Sequence, residues 1–433
     1  MRFGIVPVID PGFGGIYQYS QTMLEVLKSP TIQARGDNFI LFIKEPASSQ
    51  ADALRSSSWE VQALFPPGGR SWIQDKIKQV TGIDVFNKGW RLSQQVSHGA
   101  GIDRVRRQPG LTRWLKSHQV DIMIYPAPEA LAFEVDIPYV MAVHDLQHRL
   151  QPHFPEMSAS GNLYWREYLF RNAARYATLL VSESEVGKQD IMGFYSAYGI
   201  TDDRIKVLPF LPALSAAANV SVDEIHRVLS KYHLAERYLF YPAQFWPHKN
   251  HARIVQALHL IDQEYHLKLQ VVFAGSHTGR QRTRNFRQLQ ALIHELGMAD
   301  RVLFPGYVPD RDMAGLYAGA AALLMPTFFG PSNIPVLEAW AYGCPVITSD
   351  IHGIREQCGD AALLVDPSSV EAIANGVYRI WSDQALGNML VDKGRERLST
   401  YTRDDYTARL CDILDEAKRL VENIREIEPG LGM

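Results

Sequence analysis

From residue 322 to residue 348 the chain reads ALLMPTFFGPSNIPVLEAWAYGCPVIT. A short, continuously apolar run ends in a Gly/Pro/Ser/Asn loop. A helix then begins around Pro335, where the fixed φ of proline suits a first helical turn, and it ends near Gly343. A second apolar run, 345–348, follows at once. Apolar runs without alternation suit strands buried on both faces of a parallel sheet. A strand–helix–strand order is the crossover that parallel neighbours require.

Working outward, the same rhythm recurs in both directions. Further apolar runs lie at 2–9, 38–44, 120–125, 138–143, 178–181 and 205–208, and then at 238–241, 269–274, 302–304 and 362–365. Helical patterns separate them, which argues for repeated βαβ units. A Pro- and Ala-rich break without strand pattern lies at 211–221. The expectation is therefore an α/β chain of two doubly wound parallel-sheet domains, 1–212 and 213–402, facing across a cleft. A polar helix over 403–433 should pack back on the first domain. Such folds bind ligands outside the carboxyl ends of their strands. The stretch 46–109 carries no clean βα rhythm. Between Arg70 and Lys116 there are ten Lys/Arg against three acidic residues, and Ile73, Ile77 and Val80 fall at helical spacing.

Composition excludes several classes. At 433 residues the chain has room for two cores, and its net charge of −3 argues against nucleic acid as the partner of the whole molecule. Cys344, Cys358 and Cys411 show no CxxC pairing, which fits a reducing compartment better than a disulfide framework. The opening MRFGIVPVIDPGFGG has a short apolar run cut by Pro7, and no run approaches the ~20 apolar residues that span a bilayer. A cytoplasmic protein is expected, at most peripheral on the inner face of a membrane.

Four segments carry candidate chemistry. In YPAQFWPHKN, Lys249 stands at a strand-to-helix turn, where a lysine can reach a phosphate as a point charge. A solvated helix-start lysine has the same sequence. In the opening stretch, the loop before Pro335 and the helix N-terminus would present N–H groups to an anion. Glu338, one turn in, would repel a diphosphate there, so it binds ribose hydroxyls or merely complements the helix dipole. His144 ends the run PYVMAVHD and faces the expected cleft, although a core histidine satisfied by backbone is the bland alternative. With His148 it has i,i+4 metal spacing but lacks a third ligand. Gly12-Phe-Gly-Gly15 permits close backbone approach but is not a GxGxxG fingerprint, which disfavours an NAD-dependent oxidoreductase. Asp310-Arg-Asp312 has DxD spacing, but it opens a helix and is read as a cap.

Together FGGIYQY, IPYVMAVHDLQHRLQPHFP, LLVSESEVGKQDI, DDRIKVLPF, PAQFWPHKN, RVLFPGYVP and FFGPSNIPVLEAWAYGCPVITSD resemble family 4 of the retaining glycosyltransferases, over most of the chain. The resemblance implies a GT-B fold of two Rossmann-like domains, the first on the acceptor side and the second binding a nucleotide sugar. It implies that Gly14 and Gly15 face the donor diphosphate and acceptor, and that His144 contacts the donor sugar. Lys249 would bind the diphosphate. Ser332, Asn333 and Ile334 would offer backbone amides, Glu338 would take the ribose, and Gly306 would border the base. It implies no metal and no cofactor beyond the sugar nucleotide. The substrates would be a GDP- or UDP-hexose donor and a glycan or lipid-linked acceptor, in the synthesis of bacterial surface polysaccharide or glycolipid. The basic 70–116 segment would then meet an anionic acceptor or membrane surface. Two departures stand out: Gln244 replaces the family's usual arginine, and Gly330 replaces its first glutamate. A degenerate, non-catalytic binder of sugar nucleotides and a GT-B epimerase are the alternatives.

Overall fold

The computed structural model describes residues 1–66, 104–212 and 220–427. Most of the basic 70–116 segment, including Ile73, Ile77 and Val80, and most of the 211–221 break lie outside the described residues.

The chain divides into two compact units, the first made of 1–153, 157–209 and 404–433, the second of 154–156 and 210–403. The first holds a seven-stranded sheet, the second a six-stranded one. Strands of the first are β1 (Arg2–Ile5), β2 (Asn38–Ile43), β3 (Glu60–Ala63), β4 (Ile122–Tyr125), β5 (Tyr139–Ala142), β6 (Leu179–Ser182) and β7 (Ile205–Val207). They run in the order β3-β2-β1-β4-β5-β6-β7, parallel throughout. The second holds β8 (Leu239–Pro242), β9 (Val271–Ala274), β10 (Val302–Gly306), β11 (Ala322–Met325), β12 (Val346–Ser349) and β13 (Leu363–Val365). Their order is β10-β9-β8-β11-β12-β13, again all parallel. Each order reverses once, between β1 and β4 and between β8 and β11, which marks the crevice where doubly wound sheets bind ligands.

The apolar runs become strands because helices cover both faces of each sheet. Every residue of β4, β5, β6, β9, β11 and β12 is buried. The strand that no apolar run announces is β3, inside the stretch without βα rhythm. The helix Ser49–Ser56, whose Ser48 cap accepts from the Ala51 amide at 3.3 Å, leads into it. As an edge strand, β3 reads EVQA and stays partly exposed, so it needs no apolar run and leaves none in the sequence.

The long helix Arg403–Ile427 belongs with the first unit. Tyr406, Leu410, Ile413, Leu414, Ala417 and Val421 are buried, a stripe at helical period. Lys418 Nζ donates to Asp37 at 2.5 Å, and Arg35 pairs with Asp415.

Candidate functional site

In the second unit the loops after β8 and β11, on either side of the switch point, are bonded to each other. The Phe328 amide and the Thr327 hydroxyl both donate to the His248 carbonyl, at 2.8 and 3.2 Å. Asn250 explains the end of the HKN motif. It adopts a left-handed φ of 62°, which asparagine tolerates better than most residues, and it precedes the helix His251–Tyr265. Its buried side-chain amide donates to the carbonyls of Pro326 and Pro367, at 2.8 and 2.7 Å. Lys249 therefore sits on a turn pinned from three sides, its carbonyl accepting from the Tyr241 hydroxyl at 3.0 Å. His248 is held by Glu156, which accepts from its amide at 3.1 Å and faces its Nδ1 at 2.5 Å.

After β11, Gly330 takes φ +138°, and a Cβ there would come within 2.8 Å of the Asn333 side chain. Asn333 caps the helix Ile334–Ala341 with its backbone only. Contrary to the expectation for this residue, its N–H is occupied: it donates to Gln357 Oε1 at 2.9 Å, while Gln357 Nε2 returns a bond to the Asn333 carbonyl at 2.8 Å. Of the three amides singled out in the sequence, those of Ser332 and Ile334 remain for a ligand. Glu338, half-buried in the same unit, accepts a 2.6 Å bond from the buried Tyr317 hydroxyl. Burial pushes its carboxyl above the ordinary range, and Tyr317 pulls it back only in part. Gly306 ends β10 at φ +74°, its carbonyl accepting from the Gly275 amide.

Two side chains on these loops were not legible as a pair. Arg282, on the helix Arg280–Glu295 after β9, donates through Nη1 to Gln244 Oε1 at 2.7 Å. Trp246 Nε1 donates to the same oxygen at 3.0 Å, and the guanidinium lies 4.9 Å from the Trp246 ring centre. Asp310 and Asp312 are neither a metal pair nor caps. Pro309 precedes their helix, with no side-chain cap. Asp312 is fully buried, accepts from Arg227 at 2.9 Å and Tyr232 at 2.8 Å, and pairs with Lys231.

In the first unit, Gly14 (φ 59°, ψ −123°) and Gly15 form the entry to the helix Gly15–Leu27, a backbone geometry that favours glycine. A cavity of about 890 Å³ opens there, lined among others by Asp10, Lys44, Glu129, His144, Trp165 and Arg166. His144 follows β5. Its Nε2 lies 2.8 Å from the Pro126 carbonyl after β4, and its Nδ1 lies 3.9 Å from Glu183 after β6. Burial pushes the imidazole down, but Glu183 and the Pro126 carbonyl outweigh it, and its pKa is raised overall. The register Ala142↔Val181 brings these two chain segments side by side, so Glu183 could have been found from the run LLVSES. His148 faces elsewhere, to the Tyr195 hydroxyl at 2.8 Å and to Arg166, which donates to its Nδ1 at 3.1 Å. Among the described residues no group of His, Cys, Asp or Glu has the arrangement of a metal site.

Residues 223–404 match the family model of the glycosyl transferases, group 1. The second unit belongs to the group 1 glycosyltransferases. The likeness reaches past this glycosyltransferase unit. The chain is 26% identical over 364 residues to O-antigen chain mannosyltransferase B of Escherichia coli, an alignment covering 81% of this chain and 90% of that protein, so it takes in both units. Among solved structures, HepE of Anabaena, in complex with UDP and glucose, aligns with a TM-score of 0.69 at 16% identity over 96% of this chain and 99% of that one. Sucrose-phosphate synthase of Thermosynechococcus elongatus gives 0.71 at 18% identity over 96% and 98%. At these identities the likeness is one of fold, and the fold is GT-B. Within the glycosyltransferase unit the structure brings Gln244, Lys249, Gly306, Ser332, Asn333, Ile334 and Glu338 to the carboxyl edge of one sheet and its following helices, while Gly14, Gly15 and His144 share the corresponding edge of the other.

Proposed function

We propose that the protein is a retaining, metal-independent hexosyltransferase. It would take a sugar from a GDP- or UDP-activated donor to a glycan or lipid-linked acceptor, in the assembly of a surface polysaccharide or glycolipid. The observation that carries this reading is the bonded pair of loops at the β8/β11 switch point. It holds Lys249, the amides of Ser332 and Ile334 and the half-buried Glu338 on one edge of the sheet. The similarity to O-antigen chain mannosyltransferase B supports the polysaccharide setting and a mannosyl donor. The nucleotide diphosphate gains charge as the glycosidic bond stretches, and fixed donors that meet that charge lower the barrier. On the front-face route, the leaving phosphate oxygen takes the acceptor proton, so no separate protein base is needed. No helix among the described residues is long and apolar enough to cross a membrane. Contact with a lipid-linked acceptor would therefore be peripheral, with the basic 70–116 segment as its proposed surface.

The second reading, a binder without turnover, is motivated by Gln244 and Gly330. Against it, both departures are built into the structure: Gln244 holds Arg282, and the space beside Gly330 is filled by Asn333. Thermal shift against UDP-, GDP- and ADP-sugars, followed by a transfer assay with the stabilising donor, tests the proposal. Lys249→Ala should cost on the order of 2–4 kcal/mol in transition-state stabilisation. It should weaken the nucleotide diphosphate far more than the nucleoside. Equal weakening of both would make Lys249 structural.

A further inference from the structure

We propose that Arg282 is a second cation of the diphosphate site, supplied from the first turn of the helix after β9, beside the uncharged Gln244 of the loop after β8. The proposal deepens the sugar-nucleotide reading of the second unit and rests on it. Three observations carry it. The first is the clamp: a neutral oxygen, Gln244 Oε1, accepts from Nη1 at 2.7 Å while the Trp246 ring backs the guanidinium at 4.9 Å. This fixes a planar fork without spending its charge. The second is the missing counter-ion. Arg282 pairs with no carboxylate among the described residues, and its Nε is buried without a partner. Burial is the sole cause acting on its pKa, which it lowers. The third is position. Arg282 stands in the first turn of the helix Arg280–Glu295, where the helix dipole disfavours a cation.

A partly buried arginine at a helix N-terminus, held by neutral groups, is poorly placed in the free protein. An anion relieves all three penalties together. Bound between the helix N-terminus and the guanidinium, it would satisfy the Nε–H and supply the missing charge. The location favours a phosphate of the donor over a stray anion. The Arg282 clamp and Lys249 are carried by one loop, since Gln244 and Trp246 precede Lys249 and the Lys249 amide bonds the Trp246 carbonyl at 3.0 Å. Gly275 allows the β9 loop to approach so closely, because a Cβ there would meet the Ala243 carbonyl oxygen at 2.3 Å. Gln244 then orients a cation that comes from elsewhere, and an arginine in its place would repel Arg282.

Calorimetric titration of the full chain with UDP, GDP and ADP, and with the matching nucleosides, tests this. The wild type should prefer the diphosphate to the nucleoside. Arg282→Gln should weaken the diphosphate by roughly 10–100-fold, as loss of a charged hydrogen bond does, with the nucleoside and the melting temperature nearly unchanged. Its salt dependence should flatten. The exchange Gln244→Arg with Arg282→Gln should recover part of the lost diphosphate affinity. Wild-type binding left unchanged by Arg282→Gln, or equal weakening of diphosphate and nucleoside, overturns the assignment of Arg282 alone. A wild type that binds none of the three nucleotides overturns the sugar-nucleotide reading and this assignment with it.

Discussion

Glu338 offers a test in which stability and function move in opposite directions. Burial raises its carboxyl pKa in the folded chain, so the charged form is disfavoured there relative to the unfolded chain. The sign follows from linkage. A raised acid is fully compatible with folding below its unfolded value, about pH 4.3. It costs stability as pH rises through its folded value. Glu338→Gln removes that cost and keeps an acceptor for the Tyr317 hydroxyl, now bonded at 2.6 Å. At pH 7.5 this variant should therefore melt higher than the wild type, and near pH 4 the difference should vanish. Glu338→Ala also removes the charge but orphans the Tyr317 hydroxyl, which has no access to solvent, at about 1–3 kcal/mol. The alanine variant should melt below the glutamine variant by several degrees, at roughly 2–4 °C per kcal/mol for a unit of this size. If the carboxylate grips the ribose, both variants lose a charged hydrogen bond of about 1.5–3 kcal/mol and bind the nucleoside roughly 10–150-fold more weakly. Melts at the two pH values and nucleoside calorimetry read all of this. A glutamine variant that melts lower at pH 7.5, or that binds nucleoside as the wild type does, would refute the reasoning.

Asp312→Ala should cost about 1–2 kcal/mol in urea unfolding at pH 7, because its cationic partners are some 40% exposed and can rehydrate. With the Asp312 pKa held at about 2 by Lys231, Tyr232 and Arg227 against the opposing cost of burial, its contribution is present above the unfolded value near 3.9 and fades as pH falls through about 2. His144→Ala should lower turnover far more than donor affinity, and an unchanged rate would refute its role. Glu183→Gln should lower the His144 pKa and move any alkaline limb of the pH–rate profile to lower pH, whereas a limb that stays put would assign it to another group.

What was legible in the sequence follows a physical rule. A strand buried on both faces needs an unbroken apolar run, so β4, β6, β9 and β11 are visible as IMIY, LLVS, VVFA and ALLM. A helix that starts on proline and ends before glycine is equally plain at Ile334–Ala341. The edge strand β3 was not, because EVQA is half solvated and carries no such demand. Pairings across the sequence were also hidden. Arg282 and Gln244 are 38 residues apart, and Asp312 and Arg227 are 85 apart, so only the sheet order brings them together. The DxD spacing suggested a local cap because capping is a local interaction, while the bond that formed is a long-range one between two helices.

The loop after β11 shows how a site can lose polar groups and keep its shape. It lacks a carboxylate at Gly330 and gives up the Asn333 amide to Gln357. Yet Gln357 bonds both backbone groups of Asn333, at 2.9 and 2.8 Å, as a neighbouring strand would. On the other side Gly353, at φ +86°, lets its segment lie so close that a Cβ would fall 2.5 Å from the Pro331 carbonyl oxygen. A loop locked at both ends holds its remaining amides, those of Ser332 and Ile334, in fixed directions. Fixed dipoles stabilise developing charge without reorganising, which is where most of their catalytic value lies. Fewer donors held rigidly can thus serve a diphosphate, provided that cations supply the net charge. Under the proposed function that requirement would fall on Lys249 and, through Gln244, on Arg282.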